Sequence, residues 1–154
     1  MVTVDDIAGA VGGRLAATAG WSAAVPGGVH LGRGPDSPTD YPYAVMEVEP
    51  ADAEVFSGDI SLQRFEVRVG VYCPSGDPAG GAKTAGELLN LALASSAGNA
   101  AMQSSPLRNA NDKILHCLPR RPEGDFADPL RGGRDVWRAG VVTDVLTQSD
   151  RGAA

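Results

Sequence analysis

Side chains able to do chemistry are few in this 154-residue chain: two histidines, His30 and His116, and two cysteines, Cys73 and Cys117. A zinc site takes about four such ligands, usually paired at short spacing. Neither histidine has a partner at that spacing, and no Cys-x-x-Cys occurs. His116 and Cys117 are adjacent, so on a strand their side chains point to opposite faces and cannot form a nucleophile–base pair. The sequence leaves a pairing of Cys73 with His116 open. The cysteines read as two buried thiols of a reducing compartment, with a single bridge between them open if their strands are neighbours.

Other catalytic patterns fail on spacing. Gly80-Gly81-Ala82-Lys83-Thr84 ends like a phosphate-binding loop, but Ser75 stands where its first glycine must be. Gly9, Gly12 and Gly13 lie inside a helical pattern and follow no strand, so the dinucleotide-binding context is missing. Ser22, Ser57 and Ser61 sit in no Gly-x-Ser-x-Gly elbow. Acidic residues are scattered. The expectation is a chain with no catalytic centre, no metal and no cofactor.

The unusual feature is the stretch PRRPEGDFADPLRGGRD, residues 119–135. It reads as a long polar loop between the last two strands. Arg120, Arg121, Arg131 and Arg134 balance Glu123, Asp125, Asp128 and Asp135, while Phe126 and Leu130 are apolar. Loops this long are often functional. One reading is a solvated hairpin loop. The other is an arm with Phe126 and Leu130 as anchors and the arginines as bidentate partners for acidic surface on another subunit or an axial partner.

The elements that must position these residues follow from periodicity. Val4, Ile7, Val11 and Leu15, with Ala8, form one helical face behind an N-cap at Thr3. Residues 29–31 read as a brief strand, and the Gly/Pro-rich stretch after them as connection. From Tyr43, Met46 and Val48 alternate with Glu47 and Glu49. A polar link over 50–59 follows. Phe65, Val67, Val69, Val71 and Cys73 then share one strand face, and Arg64, Glu66 and Arg68 the other. Ile60 and Leu62 have the opposite parity, which a bulge near Gln63, or a loop running to that point, would explain.

A small-sided stripe of Ala85, Leu88, Leu89 and Ala92 predicts a second helix over 82–97, then a linker over 98–111. Residues 114–118 read as an apolar strand closed by Pro119. Residues 136–147 read as the last strand, with Trp137, Ala139, Val141 and Val145 on one side and Arg138 and Asp144 on the other. The expected fold is α+β: an antiparallel or mixed sheet of four to five strands flanked by two helices, with a long loop between the last two strands. It forms one domain over 1–148, with a frayed tail over 149–154.

Composition narrows the partners. Lys and Arg number 13 against 19 Asp and Glu, for a net charge of −6. That argues against gripping nucleic-acid phosphates. Phe, Trp and Tyr make up 5% of the chain, too few for a large aromatic ligand cage. Neither a signal-peptide pattern nor an apolar run of membrane-spanning length occurs, so no membrane association is expected.

Element order and several segments together resemble the tail terminator, or tail completion, proteins of long-tailed bacteriophages and related prophages. The resemblance rests on VTVDDIAGAVGGRLAA from Val2, YPYAVMEV from Tyr41, RFEVRVGVYCP from Arg64, LLNLAL from Leu88 and two closing strands, and spans residues 2–147. It implies a structural virion protein and not an enzyme. Such a subunit would assemble in the bacterial host cytoplasm into a homo-oligomeric ring, typically hexameric, in the neck of the particle. The ring would cap the tail tube, end its growth and join it to the head–tail connector. DNA would pass through without being held tightly. Two alternatives stand beside it: another phage neck or tail protein, such as a head-completion or tube-like protein, and a small ligand-binding α+β domain.

Overall fold

Thr3 starts the first helix as a full capping box: its side chain accepts from the Asp6 amide, and the Asp6 carboxylate accepts from the Thr3 amide. The computed structural model describes residues 2–34, 42–56, 59–74, 78–127 and 136–150. Helix α1 runs Val4–Ala17 and buries Ile7, Ala8, Val11 and Leu15, the face the spacing predicts. Gly20, at φ +87°, turns the chain into a one-turn helix α2, Trp21–Ala24. Strand β1 is Val29–Leu31 and β2 is Tyr43–Phe56. Strand β3 is Ile60–Pro74, helix α3 is Pro78–Leu89 and helix α4 is Ser96–Gln103. Strands β4, Asp112–Ala127, and β5, Val136–Asp150, complete the fold.

The fold is α+β, with a mixed five-stranded sheet in the order β1-β2-β3-β5-β4. Only the β1–β2 pair is parallel. One sheet face carries the core. Phe65, Val67, Val69, Val71 and Cys73 of β3 lie opposite Val145, Thr143, Val141, Ala139 and Trp137 of β5. Helix α1 packs toward β2, α3 toward β3 and β5, and α4 toward β4. Each fully buried valine or phenylalanine here contributes about 1.5–3 kcal/mol of transfer free energy.

Several boundaries differ from the sequence reading, each for a local reason. Residues 50–56 belong to β2, and the register shift falls between Pro50 and Asp52 on that strand, opposite Phe65 and Arg64, so the irregularity beside Gln63 sits on the partner strand. Strand β3 is regular. Its parity changes only because Ser61, 3% exposed, takes the core-facing position beside outward Ile60 and Leu62.

The second helix is two helices. A five-residue π-helical segment, Asn90–Ala94, follows α3, and Ser95 breaks the run and caps α4 by accepting from the Gly98 amide at 2.9 Å. Residues 98–103 of the expected linker 98–111 are therefore helical, and among the described residues three helices and the short α2 stand where the sequence predicts two flanking helices.

Strand β4 does not stop at Pro119. It continues to Ala127, with register shifts at 114/116, 119/121 and 123/126. Proline ends a central strand because it cannot donate to the ladder, but an edge strand or a bulge tolerates it. Strand β5 likewise runs through Ser149 and Asp150, which pair with Ser61 and Ile60, so the expected tail from 149 begins inside the sheet.

Candidate functional site

Residues 119–127 of the expected arm continue β4 along the edge of the sheet. Arg121 stands opposite Val142 and Phe126 opposite Arg138, while Arg120 falls in the register shift between Pro119 and Arg121. All three belong to β4, whose outer side pairs with no described strand. Leu130, Arg131 and Arg134 lie outside the described residues. The bulged start of β4 is held from α4: the Asn99 side chain accepts from the Cys117 amide at 2.8 Å, and the Gln103 side chain donates to the Leu115 carbonyl. Leu118, 53% exposed, is one of the few large apolar side chains left in solvent.

At the other edge, β1 covers β2 only from Ala44 to Met46, with one further bond from the Gly32 amide to the Met46 carbonyl. Beyond Met46 no described strand pairs with the outer side of β2. Glu47 and Glu49 are exposed there, beside a hollow lined by Val4, Leu31, Gly32, Met46 and Val48. The alternation of Glu47 and Glu49 was legible in the sequence; that this strand would border open space was not.

The sheet face away from the core is banded by charge. Glu49, Glu66 and Asp144 share one row across β2, β3 and β5, and Glu47 and Arg68 share the next. The Arg68 guanidinium bridges back to the Glu66 carboxylate at 2.9 Å. At one end of this face Tyr43, Val45 and Tyr72 form a separate buried cluster, with the two tyrosine rings stacked 5.3 Å apart. His30 packs edge-on to Tyr43, and its Nε2 lies 3.0 Å from the Gly27 carbonyl oxygen, which fixes the ring as a packing element.

The candidate chemical groups are not brought together. Cys73 and Cys117 are both buried and form no disulfide. Strand β5 lies between their strands, and their partners on it, Trp137 and Val145, are about 26 Å apart along the chain. A bridge is out of reach. His116 pairs with Leu146, in the row away from the core, whereas Cys73 faces the core. Burial pushes the Cys117 thiol up to about 12, so it stays protonated and a poor nucleophile at neutral pH. Gly80, Gly81, Lys83 and Thr84 lie inside α3, where no backbone loop is left to cradle a phosphate. Among the described residues no group of three His, Cys, Asp or Glu side chains is placed to hold a metal. What the described surface does present is two long, open, charged strand edges.

No family model and no curated protein matches the chain. Solved structures do. A chain in the virion of the native gene transfer agent particle superposes with a TM-score of 0.66 at 17% identity, over 97% of this chain and 100% of its own. A second solved chain matches with a TM-score of 0.50 at 18% identity, over 94% of this chain and 96% of its own. At such identities the likeness is one of fold.

Proposed function

We propose that this chain is a structural subunit of a phage-like particle, of the tail terminator type: a ring that closes the end of the tail tube and joins it to the head. The observation that carries this reading is the likeness to a gene transfer agent virion chain, which covers 97% of this chain and 100% of that one. Sequence order and the open-edged sheet support it. A closed ring needs a heterologous interface, two different patches meeting on successive copies, and two unlike sheet edges supply two such patches. A net charge of −6 suits a passage that DNA must traverse without sticking. In this reading the protein is not an enzyme, works in the virion neck, and meets the tail tube protein on one side and the connector on the other. Residues Arg120, Arg121, Phe126, Leu130, Arg131 and Arg134 belong to its subunit or partner contacts.

Removing the gene from the particle that encodes it tests the reading. Tail tubes of uncontrolled length, separate from filled heads, are the expected product. Tails of normal length joined to heads would overturn it. Particles lacking tubes altogether would favour a tube-like role instead.

A further inference from the structure

Over the rows they share, the two open edges of the sheet carry charge of opposite sign, and three acidic positions of one stand level with basic or titratable positions of the other. Strand β2 contains Glu47, Glu49, Asp52 and Glu54 and no basic residue. Strand β4 has Lys113, His116, Arg120 and Arg121 over 113–121, the rows level with 47–54 of β2; its acids are the buried Asp112 at its start and Glu123 and Asp125 beyond those rows. Register can be followed straight across the sheet. Glu47 pairs with Arg68, Arg68 with Val142, and Val142 with Arg121. Asp52 leads by the same route through Arg64 and Leu146 to His116, and Glu54 through Leu62 and Gln148 to Lys113. Each of these acidic positions on one edge therefore stands at the height of a basic or titratable position on the other.

Strand direction completes the geometry. Three successive antiparallel pairings, β2–β3, β3–β5 and β5–β4, leave β2 and β4 antiparallel to each other. If identical copies stand side by side about an axis along the strands, β2 of one copy meets β4 of the next, antiparallel and at equal height. Glu47 then meets the row of Arg121, Asp52 that of His116, and Glu54 that of Lys113. Directly opposed charges of unlike sign stabilise a cross-strand contact, and like charges destabilise it.

We infer that these edges are a charge-coded head-to-tail contact between copies of this chain, an inference that rests on the proposed ring. Pro50 and its register shift on β2, and Pro119, Pro122 and three register shifts on β4, blunt both edges against indiscriminate strand addition. The contact is accordingly made through side chains more than through an unbroken backbone ladder. Charge then selects among the remaining pairings. A β2–β2 contact sets acid against acid, and a β4–β4 contact over 113–121 sets base against base. The β2–β4 contact in the shared rows is attractive. Charge thus favours the heterologous arrangement that closes rings over an isologous contact through these rows.

Two reversals test this on the full chain. Glu47→Lys with Glu54→Lys sets base against base in the rows of Arg121 and Lys113; Lys113→Glu with Arg121→Glu sets acid against acid in the same two rows. Each variant alone should assemble at least about a hundredfold more weakly than wild type by light scattering. An equimolar mixture should recover assembly, with the two variants present in equal number by native mass spectrometry. Wild-type assembly should weaken on going from low to high sodium chloride, a readout that requires no variant to fold. Variants that assemble alone as wild type does, a mixture that stays unassembled although each variant melts cooperatively, or wild-type assembly indifferent to salt would overturn the edge contact while leaving the ring. Wild type that remains monomeric at all concentrations would overturn both.

Discussion

Replacing Gly98 by alanine should destabilise the protein although it sits in a helix, where the same change usually helps. A Cβ built at Gly98 would lie 2.7 Å from the Ala92 carbonyl carbon and 2.9 Å from the Leu91 carbonyl oxygen, and closer still to the Ala92 oxygen. Ordinary carbon contacts begin near 3.5 Å. These are backbone atoms of the π-helical turn, so no side chain can swing away, and α4 must move by roughly an ångström. The same carbonyls are in use. The Arg14 guanidinium donates to the Ala92 oxygen at 3.1 Å, and the Ser95 hydroxyl donates to the Leu91 oxygen at 2.7 Å.

Overpacking costs about 1–3 kcal/mol, and disturbing two hydrogen bonds adds about 1–2 kcal/mol. The gain in helix propensity returns about 1 kcal/mol. The net expectation is a loss of about 1–4 kcal/mol, or a midpoint lowered by roughly 3–12 °C for a chain of this size. Gly13→Ala is the control. It lies exposed in α1 with nothing within 4 Å of an added Cβ, and should raise stability by up to about 1 kcal/mol. Thermal melts followed by circular dichroism at one subunit concentration read both. A Gly98→Ala variant melting at or above wild type would refute the close packing of α4 on the turn before it.

Thr143 is fully buried, and its hydroxyl has no hydrogen-bond partner; Thr143→Val should therefore stabilise by about 1 kcal/mol, and a loss in urea unfolding would show that the hydroxyl is satisfied. Cys117 gives a pH signature. An unfolded thiol ionises from about pH 9 while the folded one holds its proton to about 12, so stability is whole below pH 9 and drains between 9 and 12. Between pH 8.5 and 10.5 wild type should lose about 2 kcal/mol more than Cys117→Ala; equal losses would contradict the buried thiol. Val69 is fully buried in the central strand β3, so Val69→Asp should cost more than about 4 kcal/mol, and a near-wild-type melt would contradict the core assignment.

The sequence was most legible where one face is buried and the chain regular. The spacing of Ile7, Val11 and Leu15 predicts α1, and the alternation from Phe65 to Cys73 predicts the central strand and its core face. It misled where a residue's meaning depends on its neighbours in space. Pro50 and Pro119 read as strand ends, because nothing local shows that β4 and the part of β2 beyond Met46 border the sheet with no described strand outside them, where a missing amide proton is harmless. Ser95 interrupts a continuous apolar stripe with a side-chain cap that periodicity does not register. The insertion of β5 between β3 and β4 is likewise a tertiary fact. It separates Cys73 from Cys117 and places Arg120 and Arg121 on an edge strand, where the sequence had placed them in a loop.

The measurement that bears most directly on the central claim is negative-stain imaging of the purified full chain, paired with its native mass. The account predicts closed rings of a single size with a central opening and a mass that is a whole multiple of the subunit's. A protein that stays monomeric across the accessible concentration range, or that forms only twofold dimers, would contradict it.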